Sequence, residues 1–294
     1  MNRNVTVLNE ILTGEWLMSP MHLLQIGHVM KQVVAGGVDN GKEQKPTISA
    51  LSFYNEELQR IDPRNANEVP AGSVAVVRII GPIMKYWSWY FLGADEVIEQ
   101  LDFANNLPNV SAIVAIVDGP GGAVSAISPF IEFAKRKKKP IVALCDASLS
   151  LHRWIPDAIA DYQMADNNIS ARFGSIGVMA QWQNTEKYYE DMGVFMEEVY
   201  PVESSHKNEF SRMYKDDQEK AREFMRENTL SPMAQKFQAA VRAAHPTLLE
   251  EEGVLNGRTF GADEAVRLNM IDKVGGLNEA MLLAQSLSEL STNY

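Results

Sequence analysis

The chain has 294 residues, 46% of them apolar and 22% charged, with a net charge of −11 and one cysteine. That is the composition of a globular protein, long enough for one large domain or a domain with an extension. The acidic balance gives no general attraction for nucleic acid or an anionic membrane surface. A lone Cys145 excludes an internal disulfide.

The N-terminus lacks the apolar core and cleavage site of a secretory signal. No run reaches the roughly 18 apolar residues of a membrane-spanning helix. The expected location is therefore the cytoplasm, or a particle assembled there. The five histidines, His22, His28, His152, His206 and His245, show no paired ligand spacing, so no metal is expected. Neither a Walker A motif nor a dinucleotide fingerprint is present, and no cofactor is expected.

Residues 1–70 read as an extension. Leu8–Leu17 and Met21–Val34 carry apolar residues at helical spacing, Gly36–Lys45 reads as a loop, and Asp62–Asn67 is a second break. From residue 71 to 294 the pattern changes. Ser73–Ile83 is a β-branched run, Gly93–Asn106 is helical, and Val110–Asp118 is a nearly continuous apolar strand followed by Gly119-Pro120-Gly121-Gly122. Ala123–Lys139 reads as a helix whose basic end, Lys135–Lys139, complements the helix dipole. Pro140–Asp146 is another buried strand, holding Cys145 as an inert thiol, and Leu149–Asp161 another helix. Further on, Asn184–Met192 reads as a helix, Phe195–Tyr200 as a strand and Lys215–Ala244 as one long amphipathic helix. Apolar strands alternating with helices predict an α/β fold with a mainly parallel sheet covered on both faces.

Two junctions could carry chemistry. A Gly-Gly turn after a buried strand leaves backbone N–H groups able to face an oxyanion. The strand Pro140–Asp146 ends in Ala147-Ser148-Leu149-Ser150, entering a helix. A serine there either caps the helix or presents its hydroxyl to the same crevice. The residues alone leave both readings open. His152 is excluded as a partner of Ser150, because i and i+2 side chains point apart on a helix.

Pro120-Gly121-Gly122, the strand Pro140–Asp146, Ser150–Ile155, Gly174-Ser175-Ile176-Gly177-Val178 and Asn256-Gly257-Arg258-Thr259-Phe260 together resemble the S49 peptidases. That family includes signal peptide peptidase A and the prohead proteases of tailed phages. The likeness covers about residues 73–285 and implies a Clp protease/crotonase-like spiral of βαβ units, with a helical N-terminal extension over 1–70. The family's nucleophile segment, broadly Ala-Ala-Ser-Ala-Ala-Tyr-Trp-Ile, matches Ser148–Ile155 with Ser150 as nucleophile. An ungapped count from Pro140 to Asp161 puts Leu151 there instead; one deletion before Ser150 restores the serine and aligns Trp154. Leu149, Leu151, His152 and Arg153 replace the family's small residues.

The resemblance implies Lys207, in Ser205-His206-Lys207-Asn208, as general base. A lysine accepts a proton only when neutral, and its ordinary pKa of about 10.4 demands a desolvated site. It further implies Ser175 as the hydroxyl orienting that amine, and Gly122 with the Leu151 N–H as oxyanion donors, Gly121 shaping the turn. The implied protein is a serine endopeptidase with a Ser-Lys dyad and a polypeptide substrate. It forms a homo-oligomer whose subunits complete one another's clefts, and it processes phage or prophage capsid or scaffold protein, in the cytoplasm or inside a procapsid. The alternatives are an inactive assembly protein on the same fold, a cytosolic signal-peptide-peptidase-like protease, and a crotonase-like acyl-CoA enzyme. Residues 1–70 are expected to be a propeptide, an oligomerisation arm or a scaffold-binding arm.

Overall fold

The computed structural model describes residues 16–17, 51–87, 92–181, 186–195 and 197–292. The strands are β1 (Trp16–Leu17), β2 (Leu51–Tyr54), β3 (Arg60–Ile61), β4 (Ser73–Ile80), β5 (Ile83–Met84), β6 (Leu92–Gly93), β7 (Val110–Gly119), β8 (Gly122–Ala123), β9 (Ile141–Leu149), β10 (Tyr162–Ala165), β11 (Arg172–Gly174), β12 (Thr259–Gly261) and β13 (Lys273–Val274). The α-helices are α1 (Ala94–Asn106), α2 (Ile127–Ala134), α3 (Leu151–Ile159), α4 (Glu186–Asp191), α5 (Glu209–Asp216), α6 (Gln218–Met225), α7 (Ser231–Ala244), α8 (Ala262–Arg267) and α9 (Leu277–Thr292).

Among the described residues, nine strands form one sheet in the order β12-β11-β9-β7-β4-β2-β3, with β10 added beside β9 and β13 beside β10. The central pairs β4–β7, β7–β9, β9–β10 and β9–β11 are parallel. Only the edges, β2–β4, β2–β3 and β11–β12, are antiparallel. This is the α/β architecture the alternating runs predict. A second, small sheet has the order β1-β8-β5-β6.

The apolar runs are continuous because both sheet faces are buried. On β4, Ala75, Val77 and Ile79 join one core cluster while Val74 and Val76 join the other. β7 and β9 split in the same way, Ile141, Ala143 and Cys145 to one side and Val142 and Leu144 to the other. The first face is covered by Leu101 of α1, Phe130 of α2, Ile155 of α3 and Phe237 of α7. The second is covered by Ala280, Met281 and Ala284 of α9. Cys145 is fully buried, and burial pushes its thiol up to about 12, so it carries no nucleophilic thiolate at neutral pH.

Several expected elements differ. Of the helix read over Leu8–Leu17, only Trp16 and Leu17 are described, and they form a strand. The helix Met21–Val34 and the loop Gly36–Lys45 lie outside the described residues. The hairpin β2–β3 precedes residue 70 yet hydrogen-bonds to β4, so the large sheet begins at Leu51. The helix over Ala123–Lys139 shrinks to Ile127–Ala134 after a 3-10 turn at Val124–Ala126. No strand forms at Phe195 or over 197–200; Phe195 is 77% and Val199 92% exposed, and among the described residues no strand pairs with them.

The single helix over Lys215–Ala244 is interrupted once, at Asp217, and carries a π-turn further on. Asp217 interrupts it and caps α6, its carboxylate accepting from the N–H groups of Glu219 and Lys220. A π-turn over Arg226–Leu230 then precedes Pro232, whose missing N–H suits the first turn of α7. The basic run is fixed by partners rather than merely solvated: Lys135 pairs with Glu132, Arg136 with Asp102 and Lys137 with Asp161. Lys139 Nζ donates to the carbonyls of Ala104 and Leu107, capping the end of α1.

Candidate active site

Three turns converge at the C-terminal ends of adjacent strands. β7 ends beside β9, Gly119 pairing with Ser148, and β9 ends beside β11, Leu149 pairing with Gly174. The Gly119–Gly122 turn, Ser150 and the Gly174-Ser175 turn therefore share one edge of the sheet. In an open α/β sheet this is the edge where ligands bind.

Ser150 is the pivot between β9 and α3. Its backbone has φ 56° and ψ −116°, a conformation strained for any residue with a Cβ. The strain is held by the sheet on one side, where Ser150 N–H donates to the Gly174 carbonyl at 3.0 Å. On the other side the Ser150 carbonyl accepts from the N–H groups of Arg153 and Trp154. Ser150 occupies the N-cap position of α3, yet its hydroxyl makes no capping bond. This sharp strand-to-helix turn is the geometry that exposes a nucleophilic serine at a helix N-terminus. Ser150 and the neighbouring Ser148 are both buried, at 2% and 0% exposure, but the Ser148 hydroxyl is engaged, donating to the His152 carbonyl at 3.1 Å.

Leu151 is the first residue of α3, and its side chain is fully buried in the core. Its N–H, in the first turn, has no intrahelical acceptor and lies next to Ser150. Ser150 and Ser175 line one pocket of about 410 Å³, together with Ile176, Gln238, Leu255 and Asn256. Ser175 also has a positive φ, 54°, and its N–H donates to the Arg258 carbonyl at 2.9 Å. Gly174 before it must be glycine: φ is +117°, and a Cβ would stand 2.3 Å from the Arg258 carbonyl oxygen.

The glycine turn is tightly specified. A Cβ on Gly122 would meet the Ile83 carbonyl oxygen at 2.0 Å, and one on Gly119 would meet the His152 ring at 2.3 Å. Gly121, with φ 120°, donates its N–H to Nδ1 of His152 at 3.1 Å. This role of His152 is not visible from helical spacing. The ring is packed against the glycine turn. Burial holds the imidazole neutral, its pKa pushed down to about 3, and Nδ1 as acceptor puts the proton on Nε2.

Arg153 also has a structural partner. It is fully buried and paired with Asp157 one turn on, Nε reaching the carboxylate at 3.2 Å. Asp157 further accepts from Gln163 at 2.9 Å and contacts His245 Nε2 at 3.0 Å. The cluster ties α3 to β10 and to the end of α7. The side chains that depart from the family pattern around Ser150 thus serve the turn and the helix that frame it.

Lys207 is not brought to Ser150 within the chain. It is exposed on the turn Ser205–Asn208 and does not line the Ser150 pocket. The turn itself is ordered by local bonds: Asn208 donates to the Tyr200 hydroxyl at 2.9 Å, and Arg212 to the Ser205 carbonyl at 2.9 Å. His206 is exposed and pairs with Glu209. Burial and Lys138 lower Lys139 to about 8. It cannot serve Ser150, because the nine residues of β9 separate the two ends by roughly 30 Å. Among the described residues no group of His, Cys, Asp and Glu is arranged to hold a metal. No described helix is long and apolar enough to cross a membrane.

A family model for peptidase family S49 matches residues 133–291, more than half of the chain. The protein belongs to the S49 peptidases. None of the curated proteins compared with the chain matches it. Among solved structures, it is similar to the 1510-N membrane-bound stomatin-specific protease, as a lysine-to-alanine mutant in complex with a substrate peptide. There the identity is 16% and the TM-score 0.43, over 72% of this chain and 78% of that one. A serine-to-alanine mutant of the same protease gives 15% and 0.45, over 72% and 83%.

Proposed function

We propose that the protein is a serine endopeptidase in which Ser150 is the nucleophile and Lys207 of a neighbouring subunit is the base. The observation that carries this reading is the strained Ser150 turn, with a hydroxyl that caps nothing and opens on a pocket. Ser150 Oγ attacks the peptide carbonyl while its proton passes to Lys207 Nζ. The N–H groups of Leu151 and Gly122 receive the oxyanion. The C–N bond breaks as the lysine returns the proton to the leaving amine. Water then releases the acyl-enzyme by the same route. Ser175, in the same pocket, orients the amine.

Lys207 is exposed in the single chain, so the proposal requires a second copy to bury it. Support comes from its flanks: Phe195, Val199 and Val202 are 77%, 92% and 90% exposed, an apolar set that a single chain leaves in water. The substrate is a polypeptide, taken here to be a phage or prophage capsid or scaffold protein. An apolar groove of about 710 Å³ begins at Val124, two residues past Gly122, and runs along Ile127, Trp154 and Met233. It suits a large apolar side chain near the scissile bond.

The test is complementation. Ser150→Ala and Lys207→Ala are each expected to lose labelling by a fluorophosphonate and cleavage of an unstructured protein. Mixing and reassembling the two inactive variants is expected to restore part of the activity. No recovery on mixing would refute the shared site. Absence of labelling at every concentration, in the unaltered protein and in a form cut between residues 37 and 43 alike, would favour the second reading, an inactive assembly protein, to which the exposure of Lys207 also points.

A further inference from the structure

β8 has two edges, and the chain itself occupies both. On one side Gly122 pairs in parallel with Ile83 of β5. On the other side Trp16 and Leu17 pair antiparallel, Trp16 opposite Ala123 and Leu17 opposite Gly122. The second edge is the one that matters chemically, on the assignment of Gly122 and Leu151 as oxyanion donors made above. A polypeptide that presents a carbonyl to the Gly121–Gly122 turn must run alongside Gly122–Ala123. An extended peptide does so most simply by adding to the open edge as a strand, its backbone groups bonding to those of β8. In this structure the edge is not open. It is filled in that manner by a segment of the same chain.

We infer that the Trp16–Leu17 segment is an intramolecular ligand of the substrate strand, and that it keeps the peptidase latent until it is displaced or removed. The site takes an extended peptide running antiparallel to Gly122–Ala123. The pairing spans two residue pairs, so taken alone it is weak. Tethering makes it effective: a covalently linked strand acts at a concentration on the order of millimolar, above that of most substrates. It also makes the block reversible, since cutting the chain between β1 and β2 turns the ligand into a free peptide that dilution removes. The glycine at 122 keeps β8 close against β5, because any side chain there collides with Ile83. The edge therefore accepts backbone from β1 or from substrate, one at a time.

The experiment uses the full chain. In one form a recognition site for a specific protease is placed within residues 37–43, and the folded protein is cut and diluted. In a second form Trp16→Pro and Leu17→Pro together remove whichever of the two N–H groups faces β8, since successive N–H groups of a strand point to opposite edges. The probe is a fluorescein-labelled synthetic peptide of residues 10–24. Cleavage of an unstructured protein should rise at least tenfold in both forms, and the peptide should suppress it competitively. The peptide should bind the cut protein and not the intact one by fluorescence anisotropy, also when Ser150→Ala is present. Equal binding to cut and intact protein, or no binding to either, overturns the inference. Binding to the cut form alone, with no fluorophosphonate labelling of any form, would instead retain the inference and refute the peptidase assignment.

Discussion

The N–H of Gly121 donates to Nδ1 of His152 at 3.1 Å, so the helix that starts beside the Ser150 turn also holds the glycine turn across from it. One buried imidazole thereby couples the two halves of the candidate site. His152→Ala leaves a buried N–H unpaired and a cavity in its place. It is expected to destabilise the protein by about 2–4 kcal/mol and to lower kcat more than it raises KM. His152→Asn offers an amide oxygen near the Nδ1 position and should recover part of kcat. If the asparagine variant recovers stability without kcat, the ring serves packing alone.

The same imidazole makes stability depend on pH. Its folded pKa is pushed down to about 3 by burial, against an ordinary value of about 6.5. Between these values the unfolded chain binds a proton that the folded chain refuses. Its contribution is complete above pH 6.5 and is lost as pH falls toward 3, amounting to roughly 4 kcal/mol at the lower end. Denaturant midpoints measured from pH 7 to pH 3.5 should fall more steeply for the unaltered protein than for His152→Asn. Parallel curves would show that His152 is not the group responsible.

Asp157 is the acceptor at the centre of the buried cluster formed with Arg153, Gln163 and His245. Removing it leaves a fully buried guanidinium without its counter-charge. Asp157→Ala should therefore destabilise by about 3–5 kcal/mol. Arg153→Met combined with Asp157→Leu, which removes both charges and keeps volume, should lie much closer to the unaltered protein. A double variant as unstable as Asp157→Ala would show that the cluster acts through shape rather than charge.

How much of this could be read from the residues differs by element. β4, β7 and β9 were legible because burial on both faces makes their sequences apolar without interruption. The Phe195–Tyr200 run is apolar at both ends but carries Glu197 and Glu198 between them, and among the described residues no strand pairs with it; local composition does not carry pairing. The break of the long helix at Asp217 follows from a carboxylate that can cap as readily as it can ride on a helix surface. At the site, the family register placed Leu151 or Ser150 at the nucleophile position according to whether one residue was deleted before Ser150. The structure puts the Leu151 side chain in the core and Ser150 at the strained turn, and the proposal of Ser150 as nucleophile rests on that placement. The pairing of β1 with β8 joins positions more than a hundred residues apart, and no local pattern in Trp16–Leu17 announces it. The family register that pointed to Lys207 does not say which subunit it serves; the resemblance implies clefts shared between subunits, and the exposure of Lys207 agrees with such sharing.

The strain at Ser150 gives a last prediction, independent of any substrate. A residue with a Cβ at φ 56° and ψ −116° raises the energy of the folded state by about 1–3 kcal/mol. Alanine keeps this strain and removes only the hydroxyl. Glycine removes both, at the expense of about 0.5–1 kcal/mol of extra chain entropy on folding. Ser150→Gly is therefore expected to melt at a higher temperature than Ser150→Ala, and at or above that of the unaltered protein, although neither variant should react with a fluorophosphonate. This inverts the usual order, in which glycine is the less stable of the two. A residue whose only duty is to cap α3 would lose stability on becoming alanine and almost none on becoming glycine, so the comparison must include Ser150→Thr. Threonine retains capping ability but adds a branched Cβ to the strained turn. A threonine variant as stable as the unaltered protein would mean that the backbone relaxes easily and that the turn stores little strain; a threonine variant well below both would mean that β9 and α3 hold the serine in place against its own preference.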